Sequence, residues 1–173
     1  MRRLFIVACV LSAVIGSAHA QQGRERLEGF GGVRFGMDLG EAKRILGAGV
    51  EEAEVSMKDG RKIRTLVKND LVHAGESHTA TFSFGTNQRL SKVTIAPKEV
   101  FGKTNSAACL SGGKLRQALE QQYGRAEDGK RNEKDLREYF FRFKDGNEIH
   151  IYAIFSGACI TFTGFYTPQG KDD

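Results

Sequence analysis

The sequence lacks the long apolar run and the motifs by which several protein classes are recognised. Its longest apolar stretch, residues 4–15, is shorter than the roughly 20 residues that a membrane-spanning helix requires. A transmembrane segment is therefore not expected. Tryptophan is absent, and the aromatic residues are 12 phenylalanines and 4 tyrosines. Most of them lie in the second half of the chain, so much of the hydrophobic core is predicted there.

Motifs for common catalytic and nucleotide-binding sites are absent too. The chain has no G-x-x-x-x-G-K-[ST] phosphate loop, no G-x-G-x-x-G dinucleotide motif and no G-x-S-x-G nucleophile motif. Only three histidines lie beyond residue 20. Carboxylate pairs such as Glu51-Glu52 lie in polar stretches, which do not favour general acid–base chemistry. An enzyme is therefore not the favoured interpretation, and no cofactor is predicted.

The excess of positive over negative charge is small as well. The chain carries a formal net charge of +5 at pH 7. Arg2 and Arg3 account for two of these charges, so the remainder beyond residue 20 has a net charge of +3. Basic and acidic residues alternate, as in residues 127–135, which is typical of a solvated surface rather than of a nucleic-acid site. One purely basic cluster leaves an acidic partner or an anionic lipid headgroup as an alternative; it comprises Arg61, Lys62, Arg64 and Lys68.

The first twenty residues have the pattern of a secretory signal peptide. A basic start at Arg2-Arg3 precedes the apolar residues 4–15, and Ala18-His19-Ala20 forms an A-x-A cleavage site. Residues 6–9 resemble a lipobox, but they follow the arginines too closely to leave room for an apolar core of roughly 7–15 residues. We therefore expect cleavage after Ala20 and a periplasmic or secreted mature protein.

The chain has three cysteines, and one of them, Cys9, lies in the predicted signal peptide. Cys109 and Cys159 remain as an even pair in an oxidising compartment, which predicts a disulfide. By the chain-entropy model, a bridge closing a loop of about 50 residues contributes roughly 4 kcal/mol. The alternative is two free thiols; a redox motif of the C-x-x-C type is absent.

Hydrophobic periodicity predicts a single domain over residues 29–168, after a flexible leader (21–28) and before a tail (169–173). Two units, about 30–97 and 109–167, each contain a helix ending in glycine, a Phe-x-Phe strand, a turn and an aliphatic strand. One helix on a few strands buries little surface, so the units are expected to share a sheet and a core. The predicted fold class is therefore α+β, a mostly antiparallel sheet with two helices packed on one face.

Local signals place the turns and helix starts of these units. Asp59-Gly60 and Asp145-Gly146 are strong hairpin signals. Asp38 and Glu41 have the spacing of a capping box and predict the start of the first helix. Ser111 is the predicted N-cap of the second helix.

The string Gly32-Val33-Arg34-Phe35-Gly36-Met37-Asp38, followed by a short helix ending at Leu46-Gly47, resembles a pattern in small exported bacterial proteins. These proteins have the β-lactamase-inhibitor-like fold, which the SmpA/OmlA envelope lipoproteins also use. The chain departs from them in having no lipidated cysteine and in carrying a long insert between Gly47 and Thr79. The resemblance implies a binding or assembly role through the sheet or loops. It implies no functional residues.

Two histidines flank a predicted turn and form a candidate metal site. His73 and His78 would face each other across the loop, with Glu76 at its tip, and imidazole and carboxylate groups bind zinc or copper. A third firm ligand is missing, so a polar surface loop is the favoured interpretation. A metal-binding protein or metallohydrolase that uses these three residues is the alternative function.

The favoured function is a non-catalytic binding protein, an inhibitor or an envelope-assembly accessory, whose partner is another envelope or secreted protein. One face of the sheet would stay uncovered by helices and offer a partner surface. Outward-pointing residues predicted to line it are Arg142, Lys144, His150 and Tyr152. A purely structural envelope protein is a third interpretation, and the oligomeric state does not follow from the sequence.

Overall fold

The computed structural model describes residues 24–57, 59–97, 106–131, 133–156 and 158–171. The predicted signal peptide, residues 1–20, lies outside the described residues. Among the helices of the described part, none combines the length and apolarity needed to cross a membrane.

The described residues form ten strands in two sheets. The strands are β1 (Gly29–Phe30), β2 (Val33–Arg34), β3 (Val50–Ser56), β4 (Lys62–His73), β5 (Glu76–Phe84), β6 (Leu90–Pro97), β7 (Glu127–Asp128), β8 (Leu136–Arg142), β9 (Glu148–Phe155) and β10 (Cys159–Tyr166). A short ribbon consists of β1 and β2, and the other strands form one eight-stranded sheet in the order β3-β4-β5-β6-β10-β9-β8-β7. All its pairings are antiparallel. The β6–β10 pairing joins the two halves of the chain.

The predicted α+β fold class, with two helices packed on one face, is wrong because the protein is mostly β. Strand accounts for 51% of the structure and helix for 19%. The helices are short: α1 (Leu39–Leu46), α2 (Ser106–Leu110) and α3 (Gly113–Tyr123). The segment interpreted as an insert between Gly47 and Thr79 supplies β3 and the 12-residue β4, which extend the main sheet. The two-unit repeat did not predict these two strands as part of the sheet, because they have no counterpart in the second unit. In the structure β3 pairs with β4, and β4 pairs with β5.

Glycine at the hairpin turns provides the backbone conformation that these turns require. Gly60 between β3 and β4 has φ of 83°, and Gly146 between β8 and β9 has φ of 82°, a region that L-residues with side chains rarely adopt. The preceding aspartates accept backbone N–H bonds two residues on, Asp59 from Arg61 and Asp145 from Asn147, both at 3.0 Å. Both predicted hairpins are therefore present.

The two longer helices begin in different ways. Asp38 caps α1 through a capping box, since its Oδ1 accepts from the Glu41 N–H at 2.9 Å and the Glu41 carboxylate accepts from the Asp38 N–H at 3.3 Å. The predicted Ser111 N-cap of α3 is wrong, because the N-cap is Gly112 with φ of 81° and no side-chain cap. Ser111 instead continues the last turn of α2, where its N–H bonds to the carbonyl of Ala107.

One face of the large sheet carries the hydrophobic core. Adjacent strands from β4 to β8 contribute one row of paired side chains that are at most 1% exposed: Leu66, Phe82, Val93, Phe165, Ile149 and Phe141. Ala42 of α1 and Leu115 and Leu119 of α3 join the same cluster. Each large apolar side chain in it contributes roughly 1.5–3 kcal/mol by burial. The row therefore connects both halves of the chain in one core.

Cys109 of α2 and Cys159 at the start of β10 lie at disulfide distance, with 5.4 Å between their Cα atoms. Both side chains are buried. The pair connects α2 to the strand that pairs with β6 and β9. A cysteine pair of this kind is compatible with an extracellular or periplasmic location.

Parts of the predicted leader and tail contact the domain. Leu27 in the leader is 1% exposed, and its N–H donates to the Asp145 carboxylate at 3.1 Å. A single 3-10 turn at Gln169–Lys171 lies in the predicted tail, with Gly170 buried against Ser91. The described parts of the leader and the tail therefore contact the β8–β9 turn and strand β6, respectively.

Candidate functional site

The face of the sheet opposite the core carries a group of aromatic side chains, which we call the aromatic face: Phe140, His150, Tyr152, Phe162 and Tyr166. They come from β8, β9 and β10 and alternate with residues of the core row, so they point away from the core. Phe162 is 41% exposed, and the other four are half-buried. The aromatic face is thus a solvent-facing surface built on three adjacent strands.

A stack of rings crosses β8 and β9 on this face. His150 lies directly opposite Phe140 in the strand register, and their ring centroids are 4.0 Å apart and stacked. The His150 and Tyr152 centroids are 3.8 Å apart, and the Arg142 guanidinium lies 4.8 Å from the Phe140 centroid. Aromatic pairs of this kind contribute about 0.5–1.5 kcal/mol each beyond their area burial, so the stack holds its rings in place.

Tyr166 lies across the sheet because its neighbour two residues back is glycine. A Cβ atom at Gly164 would collide with the Tyr166 ring and hydroxyl. The Lys92 ammonium lies 5.5 Å from the Tyr166 centroid. Burial raises the pKa of Tyr166, with the nearby Tyr152 adding to the effect, and burial together with Glu138 raises the pKa of Tyr152. Both phenols are therefore protonated at neutral pH and can donate hydrogen bonds.

The charged groups beside the aromatic face are largely paired with one another. Arg142 forms ion pairs with Glu127 and with Glu148, the latter at 3.6 Å. Glu138 is 6% exposed; its Oε1 lies 3.9 Å from the His150 Nε2 atom. The face therefore presents ring surfaces and phenol hydroxyls rather than a strong charge of one sign.

Three of the four residues predicted to line a partner surface lie together here, namely Arg142, His150 and Tyr152. The fourth, Lys144, follows β8 and pairs with Glu25 of the leader at 3.0 Å. Phe140, Phe162 and Tyr166 were missed. Strand alternation could have predicted them, because each lies an odd number of positions from a buried residue of its own strand and so points to the opposite face.

The candidate metal residues at the end of the β4–β5 hairpin do not form a common ligand set. His78 is 3% exposed and its Nε2 lies 3.3 Å from the His73 carbonyl oxygen. The His73 ring contacts Phe30 edge-on at 5.1 Å, and Glu76 pairs with Lys114 of α3 at 3.7 Å. Among the described residues, no group of three side chains is arranged to hold a metal ion.

The aromatic face has the chemistry of a recognition surface, since it combines rigid rings, two phenol donors and adjacent cations. Comparison of the chain with models of known families, with curated proteins and with solved structures gives no match.

Proposed function

We propose that the protein is a non-catalytic binding protein of the periplasm or the secreted space, exported through residues 1–20 with cleavage after Ala20. In this proposal the aromatic face binds a second envelope or secreted protein. The observation that carries it is the group of side-by-side rings opposite the core, with Phe162 41% exposed at its surface. Protein interfaces are enriched in aromatic residues and arginine, and the few positions that contribute most of the binding energy are enriched in tyrosine and arginine.

The order of the face supports a protein partner. The rings of Phe140, His150 and Tyr152 already contact each other, so little side-chain entropy is lost when a partner covers them. Arg142 is paired with two glutamates, which does not favour a polyanion as the partner. The cysteine pair at disulfide distance supports export to an oxidising compartment. The resemblance to β-lactamase-inhibitor-like proteins also implies binding through the sheet or loops.

Site-specific photocrosslinking tests the proposal. A photoreactive phenylalanine analogue at position 162 is expected to crosslink one dominant envelope protein in the native host. The same analogue at Ile45 is the matched control, since Ile45 is 42% exposed but lies on α1. The crosslink at position 162 should disappear in the Tyr152→Ala variant, which removes one ring of the stack. Identical products from positions 162 and 45, or no product from position 162, would contradict the proposed interface.

A further inference from the structure

A cleft of about 690 Å³ opens beside the described parts of the leader and the tail. Its volume lies within the range of small-molecule sites, about 300–1,000 Å³. It shares no lining residue with the aromatic face. Five segments from both halves of the chain build it: the leader, the end of β2, the β5–β6 turn, the β8–β9 turn and the residues after β10. The cleft is therefore a surface separate from the aromatic face, and a ligand there does not depend on the proposed function.

The cleft is lined by more cationic groups than its own carboxylates can pair with. Arg26, Arg34 and Arg89 contribute three guanidinium groups. Arg34 lies 3.6 Å from the Glu28 carboxylate, and Arg89 donates to the Gly36 carbonyl at 3.3 Å. Within the described part of the chain, neither Arg26 nor Arg89 has a carboxylate within ion-pair distance.

The second carboxylate of the cleft, Asp145, is engaged in holding the walls together. It accepts hydrogen bonds from the Leu27 N–H at 3.1 Å, the Asn147 N–H at 3.0 Å and the Asn147 side-chain amide at 2.9 Å. The Asn147 amide also donates to the Leu27 carbonyl at 2.9 Å. These bonds fix the leader against the β8–β9 turn. The cleft is therefore preorganised, and among the described residues the guanidinium groups of Arg26 and Arg89 form no ion pair with its two carboxylates.

Apolar side chains lie beside these cations. The half-buried Phe35 lines the cleft and offers apolar surface to a ligand. Leu27 and Leu90 form the base beneath it, since they are only 1% and 2% exposed, respectively. A guanidinium carries donors in a planar fork that matches carboxylate and phosphate oxygens. We propose that this cleft binds a small ligand in which a carboxylate or phosphate group is attached to an apolar group.

Calorimetric titration of the full chain with three probes tests this assignment. Phenyl phosphate and phenylacetate carry an anion next to an apolar ring, and 2-phenylethanol is the uncharged counterpart. We expect saturable binding of at least one anion and much weaker binding of the alcohol. The tighter of the two anions identifies whether the natural ligand is a phosphate or a carboxylate.

Substitution of Arg26 and Arg89, which form no ion pair within the described part of the chain, provides the decisive comparison. Arg26→Gln combined with Arg89→Gln should weaken anion binding by about tenfold or more, because charge-assisted hydrogen bonds are lost. Arg44→Gln on the exposed surface of α1 is the matched control and should leave binding unchanged. Thermal unfolding of each variant verifies that it is folded, and the single variant Arg26→Gln replaces the double variant if the latter unfolds. Equal affinity in wild type and variant, or tighter binding of the alcohol than of both anions, would overturn the assignment.

Discussion

At the scale of single residues, the aromatic face depends on a position that has no side chain. Gly164 lies in the middle of β10, where a glycine normally weakens a strand. Here its hydrogen atom leaves the space that the Tyr166 ring occupies. The ring covers the strand, and its burial raises the pKa of the phenol. One glycine therefore determines where an aromatic side chain lies.

Gly164→Ala is expected to displace Tyr166 and to lower the free energy of unfolding by about 1–3 kcal/mol, as overpacking does. The pKa of the Tyr166 phenol should fall back toward its ordinary value because the ring becomes more solvated. Urea unfolding and an ultraviolet titration of the tyrosines measure the two effects. Gly40→Ala, in α1 where a Cβ would make only an ordinary contact at 3.4 Å with Asp38, is the control and should not destabilise the protein. A stable Gly164→Ala variant with an unchanged titration would refute this role.

At the scale of elements, the β4–β5 hairpin packs its turn end against the β1–β2 ribbon through Phe30 and His73. Sequence reasoning placed this turn between the two histidines but interpreted the histidines as surface groups or metal ligands. Alternation alone does not reveal that the ribbon contacts His73, because its partner there, Phe30, is more than forty positions away. Burial is therefore a property of the assembled elements and not of the hairpin sequence.

This hairpin should make the stability of the protein depend on pH. Burial, and secondly the neighbouring His78, lower the pKa of His73 in the folded protein below its ordinary value of 6.5. The unfolded chain therefore binds a proton at a higher pH than the folded one, and stability is lost as pH falls from about 6.5 through the lower pKa of the folded protein. Urea unfolding at pH values above and below 6.5 should show this loss, with a smaller slope in His73→Gln. An equal pH dependence in the variant and the wild type would contradict the assignment to His73.

At the scale of the whole molecule, the β6–β10 pairing turns two halves into one sheet. Phe165 of β10 pairs in register with Val93 of β6 and with Ile149 of β9. Its ring also lies 4.8 Å from that of Phe30 in β1. One side chain thus connects the first ribbon and both halves of the large sheet.

Phe165→Ala should destabilise the entire chain, by about 3–5 kcal/mol, because a buried ring at the centre of the core leaves a cavity. Phe162→Ala on the same strand is the matched control. It removes a ring that is 41% exposed and should cost about 1 kcal/mol or less. Chemical unfolding of both variants measures the difference. Similar losses for the two variants would mean that the core does not extend through β10 as described.

The amino-acid sequence by itself was enough to predict the features that depend only on residues close together in the chain. The Asp59-Gly60 and Asp145-Gly146 turns and the Asp38 capping box follow from backbone freedom and side-chain hydrogen bonds over a few positions. Arg142, His150 and Tyr152 were also placed on an outward face by strand alternation alone.

Features that join distant segments became visible only in the folded chain. The mostly β architecture depends on the insert pairing with β5 and on β6 pairing with β10. Two further features combine residues from several elements, namely the stacked rings and the arginine-lined cleft. The position of the Tyr166 ring over Gly164 was also visible only in the structure. Strand pairing and packing join segments that are far apart in the sequence. Local periodicity predicts that a segment is a strand, but it does not predict which other strand lies beside it.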